Sequence, residues 1–263
     1  MRDSFLRVAA VSPKLKVADT VYNGEEILKQ IDNASKLGVK LLVFPELCLT
    51  GVSCGDTFLQ KKLIQSAKEE LIHILEETKS LDMLIFIGLP WEHKSKLYNC
   101  VASIHRGRLL GLTVKKHLPC YSNYLDTRYF QEAFENVLEI DFNENRVPFG
   151  TDIVYNCKNM ENLSVAVEIG DDAFVPITPS MSHILNGASL IVNPTAFARL
   201  VGENRQRKEC IKALAARLHA VYISSSAGAG ESTQDVLYSS AKLIVEDQTI
   251  LEESCDPETE VIC

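Results

Sequence analysis

The sequence predicts an α/β fold in four layers, α-β-β-α, with two sheets packed face to face and helices on both outer faces. Three observations carry this. Short apolar strands alternate with segments of helical periodicity. The order strand, helix, strand, helix, strand, hairpin occurs twice. Apolar strands and one-sided helices bury best in stacked layers. No low-complexity run or Pro/Gly/Ser-rich linker separates the halves, so residues 1–263 are read as a single domain with internal pseudo-symmetry. A chain of that length can bury one large core.

In the first half, residues 5–12 read as a strand, already alternating between Phe5 and Val11. Asp19 then caps a helix with Val21, Ile27, Leu28, Ile31, Ala34 and Leu37 at helical spacing, and Gly38 stops it. Residues 39–44 are short and mostly apolar, as a strand covered on both faces requires. A second helix is predicted over about 58–81, striped by Leu59, Leu63, Ala67, Leu71 and Leu75. A strand at 83–88 follows, then a hairpin of 97–104 and 109–115 turning at Arg106-Gly107. Residues 117–150 read as irregular. The second half supplies strands at 163–169, 190–193 and 221–225. Helices are predicted near 180–186 and 203–219, with a closing hairpin over about 236–245 and 249–253.

Composition narrows the function classes. The chain is 46% hydrophobic and 24% charged, an ordinary globular balance. A net charge of −8 argues against nucleic acid or an anionic membrane surface as main partner. No apolar stretch approaches the roughly 18–20 residues of a membrane span. The first residues lack a signal-peptide layout, so a cytoplasmic location is expected. The eight cysteines are scattered without CxxC spacing, which predicts buried reduced thiols and no metal site.

Three local patterns carry chemistry. Phe44-Pro45-Glu46-Leu47 sets a carboxylate just past the C-terminal end of a buried strand, the edge where α/β sheets collect catalytic groups. Apolar surroundings would raise its pKa and suit it to general base work. Taken alone, Glu46 reads as well as a surface residue in a first helical turn. Lys115 ends a hairpin strand, and with a packed stem it would offer fixed positive charge to an oxyanion. Alone it reads as an exposed basic strand end, and His117 as a satisfied polar residue. Third, Val165-Ala166-Val167-Glu168-Ile169 is a strand entering a sharp turn before Asp171-Asp172. Such an exit presents a nucleophile in α/β hydrolytic enzymes, yet the tip here is Gly170, which has no side chain.

Together with Val8–Pro13, Phe44–Gly51, Cys54–Phe58, Leu97-Tyr98-Asn99, Leu118–Tyr121, Arg128-Tyr129-Phe130, Pro148–Thr151 and Gly230-Glu231-Ser232-Thr233, these motifs resemble the nitrilase superfamily of carbon–nitrogen hydrolases. The branch they resemble is the glutaminase (amidotransferase) domain of glutamine-dependent NAD synthetase. The resemblance implies the nitrilase-type sandwich and a Glu-Lys-Cys triad that hydrolyses glutamine through a thioester. Ammonia would then pass by a tunnel to a C-terminal synthetase domain. Position by position, the base falls on Glu46, the lysine on Lys115 and the cysteine on Gly170. Glu168, Asp172, Pro176, Pro179 and Ser180 hold that register.

The resemblance places Tyr121, Asp126, Phe197 and Glu203 at substrate-binding positions, three of them altered. Asp126 stands for a glutamate and is one methylene too short for the same contact. Phe197 replaces a small hydroxyl residue and is expected to fill the pocket. Glu203 replaces a basic residue and is expected to repel the α-carboxylate of glutamine. Asp171 points elsewhere on the turn, and water activated by Glu46 would forgo covalent catalysis.

No cofactor is expected in this chain, because ATP would belong to a synthetase domain that the sequence is expected to lack. Implied partners are glutamine or a similar small amide, a synthetase domain or subunit, and further copies of the chain in a homo-oligomer. The expected function is a silent glutaminase domain with a structural, docking or tunnel-shaping role. The alternatives are an inactivated variant of an active amidase, or a small-molecule binding module using the remodelled pocket.

Overall fold

The computed structural model describes residues 5–121, 124–231 and 236–263. Strand β1 (Val8–Val11) leads to α1 (Thr20–Lys36), which Asp19 caps by accepting from Tyr22 N. Strand β2 (Leu41–Val43) follows. The helix predicted over 58–81 is in fact a 3₁₀ turn at Gly55–Leu59 and then α2 (Lys61–Glu77). Gln60 is extended between them (φ −90°, ψ 118°), which leaves Leu59 exposed and off the stripe.

Next come β3 (Leu84–His93), β4 (Lys96–His105) and β5 (Arg108–Val114), each pair antiparallel. The stretch read as irregular holds the ribbon β6 (Cys120–Tyr121) and β7 (Tyr124–Leu125), then α3 (Asp126–Tyr129). It also holds a hairpin of β8 (Leu138–Phe142) and β9 (Asn145–Gly150). Ile140, Phe142, Val147 and Phe149 alternate inward there, a period-2 signal that sequence reading passed over.

The second half runs β10 (Val154–Asn156), β11 (Ser164–Val167), a 3₁₀ turn at Gly170–Phe174 and α4 (Pro179–Leu185). Then follow β12 (Leu190–Thr195), α5 (Glu203–Leu218), β13 (Val221–Ser226), β14 (Lys242–Glu246), β15 (Thr249–Ser254) and β16 (Val261–Ile262). The closing hairpin therefore begins at Lys242 rather than at 236.

Among the described residues, one sheet has the order β16-β1-β2-β3-β4-β5-β9-β8 and the other β10-β11-β12-β13-β14-β15. The parallel strands β1-β2-β3 and β11-β12-β13 lie at the two centres. Neighbouring residues on these strands point to opposite faces, and both faces are dry. Between the sheets, Ala10, Leu41, Val43 and Phe86 meet Val165, Val167, Val192 and Ile223. On one outer face, Ala9, Leu42 and Ile85 pack under Ile27 and Ile31 of α1 and Leu71 and Ile74 of α2. On the other, Ala166, Ile191 and Tyr222 pack under Ile211 and Ala215 of α5. The four-layer α-β-β-α sandwich is the observed architecture.

All eight cysteines are free, but only Cys48, Cys54 and Cys100 are buried. Cys120, Cys210, Cys255 and Cys263 are exposed and Cys157 is half-buried, because they sit outside the strand interiors, so the expectation of burial fails for most. Among the described residues no cluster of His, Cys, Asp and Glu could hold a metal, and no helix is long and apolar enough to cross a membrane.

Candidate active site

Glu46 follows β2 on a turn that crosses directly above Gly88 of β3. A Cβ at Gly88 would lie 2.3 Å from Leu47 N and 2.4 Å from Pro45 O, so only glycine admits this crossing. The turn is tied to the second sheet by Glu46 N donating to Thr195 O (3.3 Å). Lys115 lies one residue past β5, its backbone N–H bonded to Asn99 O (2.9 Å). The two side chains are 3% and 4% exposed and meet between the sheets, with Lys115 Nζ donating to Glu46 Oε1 at 2.6 Å. Asn99 Nδ2 donates to the same oxygen at 2.7 Å.

Asp126, the first residue of α3, accepts from Lys115 Nζ at 2.7 Å. The shorter acid is therefore not cut off from the site, because α3 brings its backbone close enough.

Gly170 opens the 3₁₀ turn after β11 with φ +57°, the left-handed region that suits glycine. Three buried side chains hold this turn. Asn193 Nδ2 donates to Glu168 O (3.1 Å) and Gly170 O (3.3 Å). Asp172 accepts from Lys116 N (3.0 Å) and His117 N (2.7 Å), lashing the turn to the segment after β5. Glu168 accepts from Ser180 N (3.0 Å) and from the Tyr222 hydroxyl. Sequence reasoning used Glu168 and Asp172 only to fix the register. Two acids flanking an apolar strand exit was the signal that they support the turn.

A Cβ built on Gly170 would lie 2.7 Å from Glu46 Oε2 and 3.0 Å from Lys115 Nζ. The structure thus brings Glu46, Lys115, Asp126 and position 170 together.

Phe197 and Glu203 belong to an adjoining cluster. Phe197 meets Phe174 edge-on (5.4 Å between centroids), and the Arg207 guanidinium lies 3.6 Å from the Phe197 centroid. Glu203 Oε1 accepts from Arg207 Nη2 at 2.6 Å, one helical turn away. Glu203, expected to repel an α-carboxylate, is ion-paired with Arg207 through Oε1, while its Oε2 is buried with no partner among the described residues. His117 is not fully satisfied either, since its Nε2 is buried with no partner among the described residues. The backbone of Tyr121 pairs in the β6–β7 ribbon, while its side chain lies outside the described part, as do residues Ser232 and Thr233. Glu231 is buried and staples the loop after Glu46 by accepting from Val52 N (2.9 Å) and Ser53 Oγ (2.6 Å).

Electrostatics follow from burial. Loss of water pushes Glu46 up to about 7, against the pull of Lys115 and with help from Asp126. Burial pulls Lys115 down, but the carboxylates of Glu46 and Asp126 outweigh it and its pKa is raised. The cluster is an ammonium, charged throughout the physiological range, beside a carboxylate that exchanges its proton near neutrality. That pairing can take up a proton and stabilise an oxyanion, but position 170 offers no atom to attack with.

Burial also raises Glu168 to about 7, opposed by its bonds from Tyr222 and Ser180. A raised acid favours the protonated folded form, so its contribution is fully present below about 4.5 and is lost as pH climbs to about 7. Each unit of that shift corresponds to about 1.4 kcal/mol. Glu168→Gln should therefore make the fall in stability between those values shallower by up to about one proton's slope. Urea melts between pH 4.5 and 8 measure it, and an unchanged slope would show that Glu168 ionises without penalty.

Three comparisons fit this geometry. The carbon-nitrogen hydrolase family model matches residues 7–209. A glutamine-dependent NAD(+) synthetase of Mycobacterium tuberculosis is 31% identical over 250 residues, which is 95% of this chain and 37% of that protein. The chain thus spans little more than a third of that relative's length. Among solved structures, a glutamine-dependent NAD(+) synthetase from Cytophaga hutchinsonii aligns with a TM-score of 0.85 and 25% identity, covering 98% of this chain and 42% of that one. A mutant amidase of the nitrilase superfamily from Nesterenkonia aligns with a TM-score of 0.75 at 18% identity, over 98% of this chain and 89% of that one. The last likeness speaks for the fold alone.

Proposed function

Because this chain belongs to the carbon-nitrogen hydrolase family, we propose that it is a glutaminase-type domain, related to that of NAD synthetase, that no longer hydrolyses glutamine. The observation that carries this reading is Gly170. Its Cα faces Glu46 and Lys115 with no side chain between them, at the tip of the turn where the family presents its thiol.

In the reaction that has been lost, a thiol at 170 would add to the amide carbon while Glu46 took its proton and later returned it to the departing ammonia. Lys115 would hold the developing oxyanion. Water would then cleave the thioester. Without the thiol, Glu46 and Lys115 retain their mutual contact and no covalent step is open to them. Direct attack by water would lack the covalent route that makes the family's catalysis efficient.

What remains is a rigid body. The Glu46–Lys115–Asp126 cluster ties the end of β2 to the end of β5 and to α3. We assign it a docking or tunnel-shaping role toward a synthetase domain or subunit, within a homo-oligomer. Ammonia release from glutamine tests the reading. The protein should give no more than a heat-denatured control, and turnover above that control sinks it.

A further inference from the structure

We propose that the cavity beside the Gly170 turn is a binding site for a small carboxylate with an aromatic or branched apolar body, anchored by Arg207. This rests on the reading that the neighbouring site has given up glutamine hydrolysis. The cavity measures about 160 Å³ and is lined by Phe174, Thr195, Phe197, Arg207, Ser224 and Lys242 among others. It adjoins the Glu46 site through Thr195, whose carbonyl accepts from Glu46 N. Its size matches a cavity that takes a single six-membered ring, and the edge-to-face Phe174–Phe197 pair supplies an apolar corner.

Charge sets the polar end. Arg207 spends Nη2 on Glu203, yet its Nη1 is buried with no partner among the described residues. A buried orphan donor is a standing cost that an incoming acceptor removes. The stack on Phe197 fixes the guanidinium plane, so that donor is held in place. Lys242 donates to the main-chain oxygens of Ser240 (2.6 Å) and Asp256 (3.4 Å), forms no salt bridge among the described residues, and feels the acids Asp256 and Glu260 only as a weaker influence than its burial. Burial draws that ammonium down to about 8, a shift that an anion alongside would reverse. Of the remaining lining charges, Lys208 pairs with Glu253, and Arg205 adds another cation. An anion therefore fits this lining better than a cation. The apolar corner favours a hydrophobic carboxylate over phosphate.

The test is calorimetric titration of the intact protein with benzoate and with benzamide, its neutral counterpart of the same shape. Benzoate should bind at least about tenfold more tightly than benzamide, roughly 1.4 kcal/mol. Arg207→Gln should weaken benzoate about tenfold or more. Glu203→Gln should tighten it, because the amide oxygen still accepts from Nη2 while the competing negative charge is gone. Opposite signs from two neighbouring changes cannot arise from general destabilisation, and circular dichroism confirms that each variant is folded. Equal binding of the two ligands, no benzoate binding up to about 10 mM, or loss of affinity in both variants overturns the site. Glutamine turnover in the separate ammonia assay would overturn the functional reading and leave the benzoate result to be judged on its own.

Discussion

Lys115→Met is expected to destabilise the fold by about 3–5 kcal/mol near pH 8, because it leaves the buried Glu46 and the partly buried Asp126 around one vanished ammonium. Glu46 and Asp126 both contact Lys115 Nζ, at 2.6 and 2.7 Å, and Glu46 already carries a raised pKa from burial. Without the lysine, the carboxylates must protonate or stay charged without a counter-ion. The sign with pH follows. Protonation of Glu46 relieves the cluster, so the loss should be smaller near pH 5 and grow as pH rises through its raised pKa of about 7. At about 2–4 °C per kcal/mol for a chain of this size, the melting temperature should fall by roughly 6–20 °C at the higher pH. Adding Glu46→Gln to Lys115→Met should recover part of the loss, since the residual cluster then holds one acid instead of two. A drop below about 1 kcal/mol, or one equal at both pH values, would refute the account.

The second large effect concerns Gly170→Cys. Two costs are built into the geometry. The backbone has φ +57°, where a side chain costs on the order of 1–3 kcal/mol. The new Cβ would also press on Glu46 Oε2 at 2.7 Å and on Lys115 Nζ at 3.0 Å, so the ion pair must open to admit it. Once admitted, the thiol lies against an ammonium and a carboxylate able to take its proton, which favours the thiolate. The expected outcome is a less stable protein with one cysteine that iodoacetamide modifies far faster than the exposed thiols. Peptide mapping of the alkylated protein reads this directly. Glutamine turnover should stay at the background level, because the aromatic Phe197 and the Glu203–Arg207 ion pair line the neighbouring wall in place of the small hydroxyl and basic residues that the family resemblance implies for a glutamine pocket. A variant that folds and releases ammonia from glutamine would show that the pocket was intact and only the nucleophile missing.

Much of this architecture was legible in the chain. Asp19 and Gly38 bracket α1 as predicted, and the stripe of Leu63, Ala67, Leu71 and Leu75 is buried on α2. Glu46, Lys115 and Gly170 converge, as expected of residues that each sit just past a strand end. The misses were of two kinds. Gln60 broke a helix that periodicity alone would have extended backward to Phe58. The β8–β9 hairpin was hidden because Asn143 and Glu144 adopt positive φ without the glycine that usually marks such a turn.

The sequence by itself determined the order and layering of the elements and the three positions of the central site. The layering is a short-range property of periodicity and turn residues, whereas the three positions follow from the resemblance to the nitrilase superfamily, since Lys115 alone reads as an exposed strand end. Only the tertiary structure decided that Asp126 still reaches Lys115, that Glu203 pairs with Arg207, and that Phe197 meets Phe174 edge-on beside a ring-sized cavity. Those outcomes depend on how far a backbone segment is carried by its neighbours and on which distant side chain fills a volume or balances a charge. No local pattern encodes them, because burial and Coulomb energy are settled by contacts between residues far apart in the chain.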